Sequence, residues 1–189
     1  MSKVEGSTVI DLQNGLAAGV MGGGMASGNT IAIAEDGSAK DAAGARVEVA
    51  NINISGGVIG EEKSGMQGNI YGGGIASTGG TTWVGTSNIK VAGGTINGDI
   101  YGGGLSIGGN YGVGHECYND ALSAVDTANV TLGAGTLNGS VYLGGRVLED
   151  GANNKGVARQ RLAPVRSQST RTSTSLRLMP SSTVPALNR

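Results

Sequence analysis

Three consecutive glycines, preceded by a β-branched residue and in most copies a tyrosine, close a longer unit that recurs along this chain. The copies read Val20-Met21-Gly22-Gly23-Gly24, Ile70-Tyr71-Gly72-Gly73-Gly74, Ile100-Tyr101-Gly102-Gly103-Gly104 and Val141-Tyr142-Leu143-Gly144-Gly145. A repeat constrains architecture more than any single residue does, because stacked copies bury a core that one copy could not. Aligned on the tyrosine, Asn88–Gly104 and Asn129–Gly145 match without gaps. A third copy begins Asn51-Ile52-Asn53-Ile54-Ser55-Gly56-Gly57. It is interrupted by a polar excursion through Glu61-Glu62-Lys63 and resumes at Gly65-Met66-Gln67-Gly68-Asn69-Ile70-Tyr71. The first copy matches only in its second half, from Gly15 to Met21.

Apolar residues alternate within a copy. Ile89 and Val91 share one parity, as do Ile96, Gly98, Ile100 and Gly102, while Lys90, Asn97, Asp99 and Tyr101 take the other. A period of two predicts strands with one face in and one out. The Gly-Gly pairs between the two apolar runs supply positive φ, so the chain turns a corner there. These features predict an all-β fold, a parallel β-helix or β-solenoid over roughly residues 4–150, with equivalent side chains stacked from coil to coil. Ile100 then lies in a column with Ile70 and Val141, and Ile96 with Met66 and Leu137. Outward columns hold Tyr71, Tyr101 and Tyr142, with Gln67, Asn97 and Asn138 alongside. Stacked amides and aromatics add contacts along such columns. Inward glycines let opposite walls approach closely, which suits a chain with 37 Gly, one Trp and no Phe.

The copies are unevenly spaced: 50 residues from Gly22 to Gly72, 30 to Gly102 and 41 to Leu143. The extra length follows each glycine triplet, as in Ser27 to Gly44 and Gly108 to Asp126, and is expected to form loops or an extra strand on one side of the coil. Varied loops on a regular scaffold are where a binding surface is built.

The net charge of −1 conceals two unlike parts. Residues 1–156 carry seven basic and 14 acidic residues, whereas residues 157–189 carry six Arg, no acid, no Gly and all three Pro. We expect a Gly-rich solenoid domain over 1–156 and a disordered, Arg/Ser/Thr-rich tail over 157–189. The change of composition is also what translation out of frame produces. An Arg-rich tail suits phosphate, but a solvated tail is the simpler reading and no nucleic-acid partner is expected. The first residues hold no apolar secretory core, so the chain is either cytoplasmic or a piece of something longer. The single Cys117 supplies no disulfide framework.

None of the usual chemical motifs is complete. No Lys-Ser/Thr pair follows a glycine triplet, so a phosphate-cradling loop is not formed. Asp99 has Asn69 and Ser140 as its repeat equivalents, which rules out a repeated calcium site. His115-Glu116-Cys117 places three metal-ligating types in a row, but neighbours on an extended chain point to opposite sides, and no second cluster completes a tetrahedral set. The acids (Glu35-Asp36, Glu61-Glu62, Glu149-Asp150) do not recur at a shared repeat position, as a carboxylate-based active site built on the repeat would require. We therefore expect no catalytic residue, metal or cofactor. The outward ladder of Tyr71, Tyr101, Tyr142, Asn97 and Asn138 is the candidate binding surface.

The unit N-[IV]-x-[VL]-x-G/A-G-T-[IL]-N-G-x-[IV]-Y-x-G-G, as it stands at 88–104 and 129–145, resembles repeats of bacterial surface adhesins, including autotransporter passenger segments. The resemblance covers roughly residues 7–150. It implies a right-handed β-helix displayed outside the cell within a longer membrane-anchored or secreted polypeptide, with host or bacterial glycans or proteins as partners. The expected role is a structural and adhesive segment rather than an enzyme. Two other readings stand beside it: a β-helical enzyme acting on polysaccharide, and an intracellular repeat fragment with a nucleic-acid-binding tail. Exposed strand edges at the solenoid ends predict self-association.

Overall fold

The computed structural model describes residues 2–27, 44–61, 68–77, 80–108 and 121–149. Among these the chain forms sixteen strands and no helix, arranged as four turns of one coil. Each coil opens with an 11-residue strand: β1 (Ser2–Leu12), β5 (Gly44–Ile54), β9 (Thr81–Val91) and β13 (Leu122–Leu132). Three shorter strands complete it. The first coil continues with β2 (Leu16–Ala17), β3 (Val20–Met21) and β4 (Met25–Ser27), and the second with β6 (Val58–Ile59), β7 (Ile70–Tyr71) and β8 (Ile75–Ser77). The third has β10 (Thr95–Ile96), β11 (Ile100–Tyr101) and β12 (Leu105–Gly108), and the fourth has β14 (Thr136–Leu137), β15 (Val141–Tyr142) and β16 (Arg146–Glu149).

Strands of like position pair in parallel, giving four four-stranded sheets, each strand beside its equivalent in the next coil. The architecture is that of a parallel β-solenoid. Ile70, Ile100 and Val141 stack in register, as the alternation predicts. Val20 adds a fourth member to that column. The backbone ladder continues through the corners. The Val58 N–H donates to Gly15 O, Thr95 to Gly57 O and Thr136 to Gly94 O, at 2.8–2.9 Å. The two-residue strands are therefore short spans of one continuous hydrogen-bonded path, and a parallel coil leaves few corner amides without a partner.

Three packed regions follow from the coil's cross-section. The second half of each long strand faces the second and third sheets and buries Ile52, Ile54, Ile89, Val91, Ile96 and Ile100. Facing the glycine triplets is a narrower stripe of Val47, Ala50, Val84, Val125 and Ala128. The third cluster, Tyr71, Tyr101 and Leu105, sits outside the channel, where the third sheet bends into the fourth.

The glycines serve two different physical ends. Gly57, Gly94 and Gly135, at the corner after the long strand, have φ of +78°, +84° and +121°, a region costly to residues with a Cβ. None of the triplet glycines has positive φ. Their requirement is space. A methyl on Gly73 would lie 2.7 Å from Gly104 N and 2.8 Å from Val125 Cγ2, and one on Gly22 would lie 2.5 Å from Gly72 O and 2.8 Å from Ala50 Cβ. The close approach of opposite walls expected from the composition is thus present, and it explains a core without large aromatics.

Two expectations need correction. The first coil is complete. β1 supplies its long strand, with Val9, Ile10, Asp11 and Leu12 paired to Asn51, Ile52, Asn53 and Ile54. Ile59, rather than Met66, lies beneath Ile96, because Val58-Ile59 pairs with Thr95-Ile96 directly after the Gly56-Gly57 corner. The interruption therefore falls after Ile59, and Met66 and Gln67 lie outside the described residues. The fourth sheet and the first half of the long strand follow the triplet in every coil, and the span from Gly108 to Asp126 enters β13 at Leu122. The lengths that differ between coils are those from the fourth sheet to the next long strand (residues 28–43, 78–80 and 109–121) and from the second sheet to the third (60–69 against 97–99). The extra length expected to form loops or a strand, at 28–43 and 109–120, lies outside the described residues.

Candidate functional site

The bend from the third sheet into the fourth gathers the polar and aromatic side chains that the repeat carries. Tyr71, Tyr101 and Tyr142 are aligned because their strands pair in register. The rings stack at centroid distances of 5.1 and 4.9 Å with interplanar angles of 12° and 10°. Met21 takes the same position in the first coil. The aromatic column expected from the sequence is therefore formed, but it is not an open surface. Tyr71 and Tyr101 are only 8% and 7% exposed. The fourth sheet folds back across the ring edges, so that Leu105, Ile75, Ile107 and Leu148 pack against them. Alternation places tyrosine opposite the core; the re-entrant bend at the glycine triplet then covers it again. Sugars stack on open ring faces, whereas here both faces of Tyr101 and one face each of Tyr71 and Tyr142 lie against neighbouring tyrosines.

A polar column runs beside the rings. Asn69 Oδ1 accepts the Asp99 N–H at 2.8 Å, and Asp99 Oδ1 accepts the Ser140 N–H at 2.8 Å, so each side chain holds the backbone of the next coil. The Tyr101 hydroxyl donates to Asp99 Oδ2 at 3.0 Å, and Asn69 Nδ2 donates to the Tyr71 hydroxyl at 3.2 Å. Burial raises the Tyr101 pKa well above its ordinary 10.0, and the hydrogen bond to Asp99 and that carboxylate's charge add to the effect. Arg146, at the start of β16, is held in its charged form chiefly by a hydrogen bond with Tyr71. These bonds clamp each coil to the next.

The amide columns are the second feature. Asn138 Nδ2 donates to Asn97 Oδ1 at 2.8 Å, as the expected outward ladder requires, and Asn97 Nδ2 donates to Gly60 O at 2.8 Å. Residue 60 is glycine, so the amide column stops there on a backbone carbonyl. A second ladder went unanticipated. Asn129 Nδ2 donates to Asn88 Oδ1, and Asn88 Nδ2 to Asn51 Oδ1, both at 2.9 Å, along the outer face of the long sheet. The signal was in the sequence, since each of these residues opens its copy of the unit.

Trp83 is the third. It lies on the outer face of β9 between Arg46 of β5 and Ala124 of β13. The Arg46 guanidinium carbon sits 4.0 Å from the centre of its ring, and Arg46 Nε is 3.2 Å from Glu48 Oε1. One indole face is thus occupied by a cation–π contact, and the ring packs as a strut between coils.

Among the described residues, no three His, Cys, Asp or Glu side chains are grouped to hold a metal ion. His115-Glu116-Cys117, Glu35-Asp36, Glu62, Asp150 and the basic tail lie outside the described residues. No described helix is long and apolar enough to cross a membrane. Set against models of known protein families, curated proteins and solved structures, the chain matches none.

Proposed function

We propose that this chain is a structural and adhesive segment of a bacterial cell-surface or secreted repeat protein. In this reading it is a right-handed parallel β-helix within a longer polypeptide, and its variable connections meet glycans or proteins of host or neighbouring cells. The right hand follows the strong preference of parallel strand crossovers. The observation that carries the reading is the contrast between fixed columns and variable connections. The four sheets keep one strand order over four coils, and the strands pair in register save for a single shift between Val4 and Ser7 of β1. Meanwhile the stretches before β5, β9 and β13 leave from one corner of the coil with unrelated lengths and sequences. The clamp, the amide ladders and the glycine triplets all stiffen the scaffold, and none of them presents an open reactive group. A scaffold that holds position while its connections vary suits display.

The test is to coat beads with the full chain and measure adherence to epithelial cells, to other bacteria and to immobilised glycans. Residues 28–43 and 109–120 are then replaced by Gly/Ser linkers of equal length. Adherence should fall at least tenfold with an unchanged far-ultraviolet spectrum. Undiminished binding, or release of sugar from the glycans, would overturn the proposal.

A further inference from the structure

The two ends of the solenoid differ at one position of the repeat. In coils one to three, the first residue of the triplet is glycine: Gly22, Gly72 and Gly102. In the fourth coil it is Leu143. The glycines answer a requirement set by the following coil. A Cβ on Gly22 would lie 2.5 Å from Gly72 O, and one on Gly102 would lie 2.7 Å from Leu143 O. A Cβ on Gly72 would overlap Gly102 O and Ser87 Oγ. The obstacle at each position is the carbonyl of the next coil, together with a small inward side chain of its long strand, Ala50, Ser87 or Ala128. Backbone held in a parallel ladder cannot move aside for a methyl group without breaking the ladder.

Leu143 carries that Cβ and more. Its side chain is partly buried and packs against the main core, in which Ile100, Val130 and Val141 lie. It therefore occupies the volume into which a fifth coil would place its carbonyl and its small residue. At the opposite end, among the described residues, Thr8, Ile10, Met21 and Gly22–Gly24 line a cleft of about 300 Å3 together with Ala45, Arg46 and Val47 of the second coil. A second copy of this chain is the natural occupant of either end, since β1 and β13 are both 11 residues long and, among the described strands, each lies at an edge of its sheet. In a head-to-tail pair, Leu143 of one copy would meet Gly22 O and Thr8 of the other, because Thr8 takes the column position of Ala50.

We infer that Leu143 is the residue that ends coil stacking: it closes the C-terminal end of the solenoid and prevents a second copy from adding head to tail. The edge strands alone predict self-association; Leu143 removes the geometry that association needs. The stop is steric and local, so restoring glycine at this single position should convert a monomer into a linear polymer.

The experiment uses the full chain carrying Cys117→Ser, with Asp11→Cys and Thr131→Cys as reporters. These two positions belong to one outward column, through Asn53 and Lys90, and would be neighbours across a head-to-tail junction. With Leu143 retained, light scattering should give the monomer mass and oxidation should give no disulfide ladder. Leu143→Gly should raise the mass with concentration and give a ladder of covalent multimers. Leu143→Ala, which keeps the Cβ, should behave as the parent. Assembly of the parent or of Leu143→Ala into the same ladder would overturn the inference, as would a folded Leu143→Gly protein that stays monomeric. Gly102→Ala tests the steric premise separately, whether or not Leu143→Gly folds. It should lower the thermal midpoint by about 10 °C or more, and a midpoint within a few degrees of the parent would remove the premise.

Discussion

Side-chain size facing the glycine triplets is set to within a methyl group. Ala50, Ser87 and Ala128 occupy equivalent inward positions in successive coils, and the middle one is anomalous. Ser87 is fully buried and its Oγ has no hydrogen-bond partner. The hydroxyl is out of reach of the Thr82–Ser123–Ser106 network, in which Thr82 Oγ1 donates to Ser123 Oγ and the Ser123 N–H donates to Ser106 Oγ, both at 3.0 Å. Ser87→Ala should stabilise the fold by about 1 kcal/mol, since a buried unpaired hydroxyl costs about 1–3 kcal/mol and alanine already fits the coils on both sides. Urea denaturation measures this, and a destabilised variant would show that the hydroxyl has a role. Tyr101 gives a second residue-scale expectation. Its folded pKa lies above the unfolded value of 10.0, so its contribution to stability is fully present below pH 10 and is lost as the pH rises past that value toward the folded pKa. Above pH 10 the wild-type unfolding free energy should fall more steeply than that of Tyr101→Phe. Parallel pH curves for the two would dismiss the buried hydroxyl as the cause.

At the scale of the element, the two outer ladders tie coil to coil by side-chain bonds of known direction. Asn88 makes two such bonds and Asn129 one. At roughly 0.5–1.5 kcal/mol per hydrogen bond, Asn88→Ala should cost about twice as much as Asn129→Ala, some 1–2 kcal/mol against about 1, read from denaturation midpoints. Equal costs would mean that solvent replaces the amide bonds fully. These ladders also show what the sequence could disclose. The asparagine that opens each unit, the alternation of Ile89 with Lys90 and Val91, and the tyrosine preceding each triplet could all be read from the chain, because each repeats at an invariant position. β1 was not legible. Val9 stands where the other coils have asparagine, Asn14-Gly15 replaces the Gly-Gly pair, and Ala17 and Val20 are one residue closer than Ile96 and Ile100. The fourth sheet was hidden for a different reason: Met25-Ala26-Ser27 and Ile75-Ala76-Ser77 agree at two of three positions, but Leu105–Gly108 and Arg146–Glu149 share backbone pairing with them and almost no side-chain identity. Pairing that rests on backbone amides leaves little trace in a sequence. Burial of the tyrosines was invisible on the same ground, since the side chains covering them come from that sheet.

The described coils form a one-dimensional stack in which contacts are local along the axis, reaching the next coil and, at the glycine triplets, the one after it (Gly23 to Val84, Gly73 to Val125), and stability approximates a sum over coils and interfaces. Such an architecture tolerates loss of a complete unit and is broken by loss of a fraction of one. Thr81 and Leu122 hold the same place in consecutive coils, both following Gly80 in the ladder: Thr81 by chain connection and Leu122 by its N–H donating to Gly80 O at 3.0 Å. Deleting residues 81–121 therefore joins Gly80 to Leu122 and lets β13 pair with β5 in the register that β9 now holds. Val141 then lies on Ile70, Thr136 on Val58 and Arg146 on Ile75, each substitution keeping inward residues inward. The three-coil protein should fold with the same strand spectrum and a single unfolding transition. Its denaturant slope should fall by about a quarter, because the slope follows the surface exposed on unfolding. Deleting residues 81–100 removes only part of the coil and offsets every column after Gly80, so that protein should not fold. If the full-coil deletion fails as the partial one does, the columns are not interchangeable, and the coils must instead depend on features particular to each.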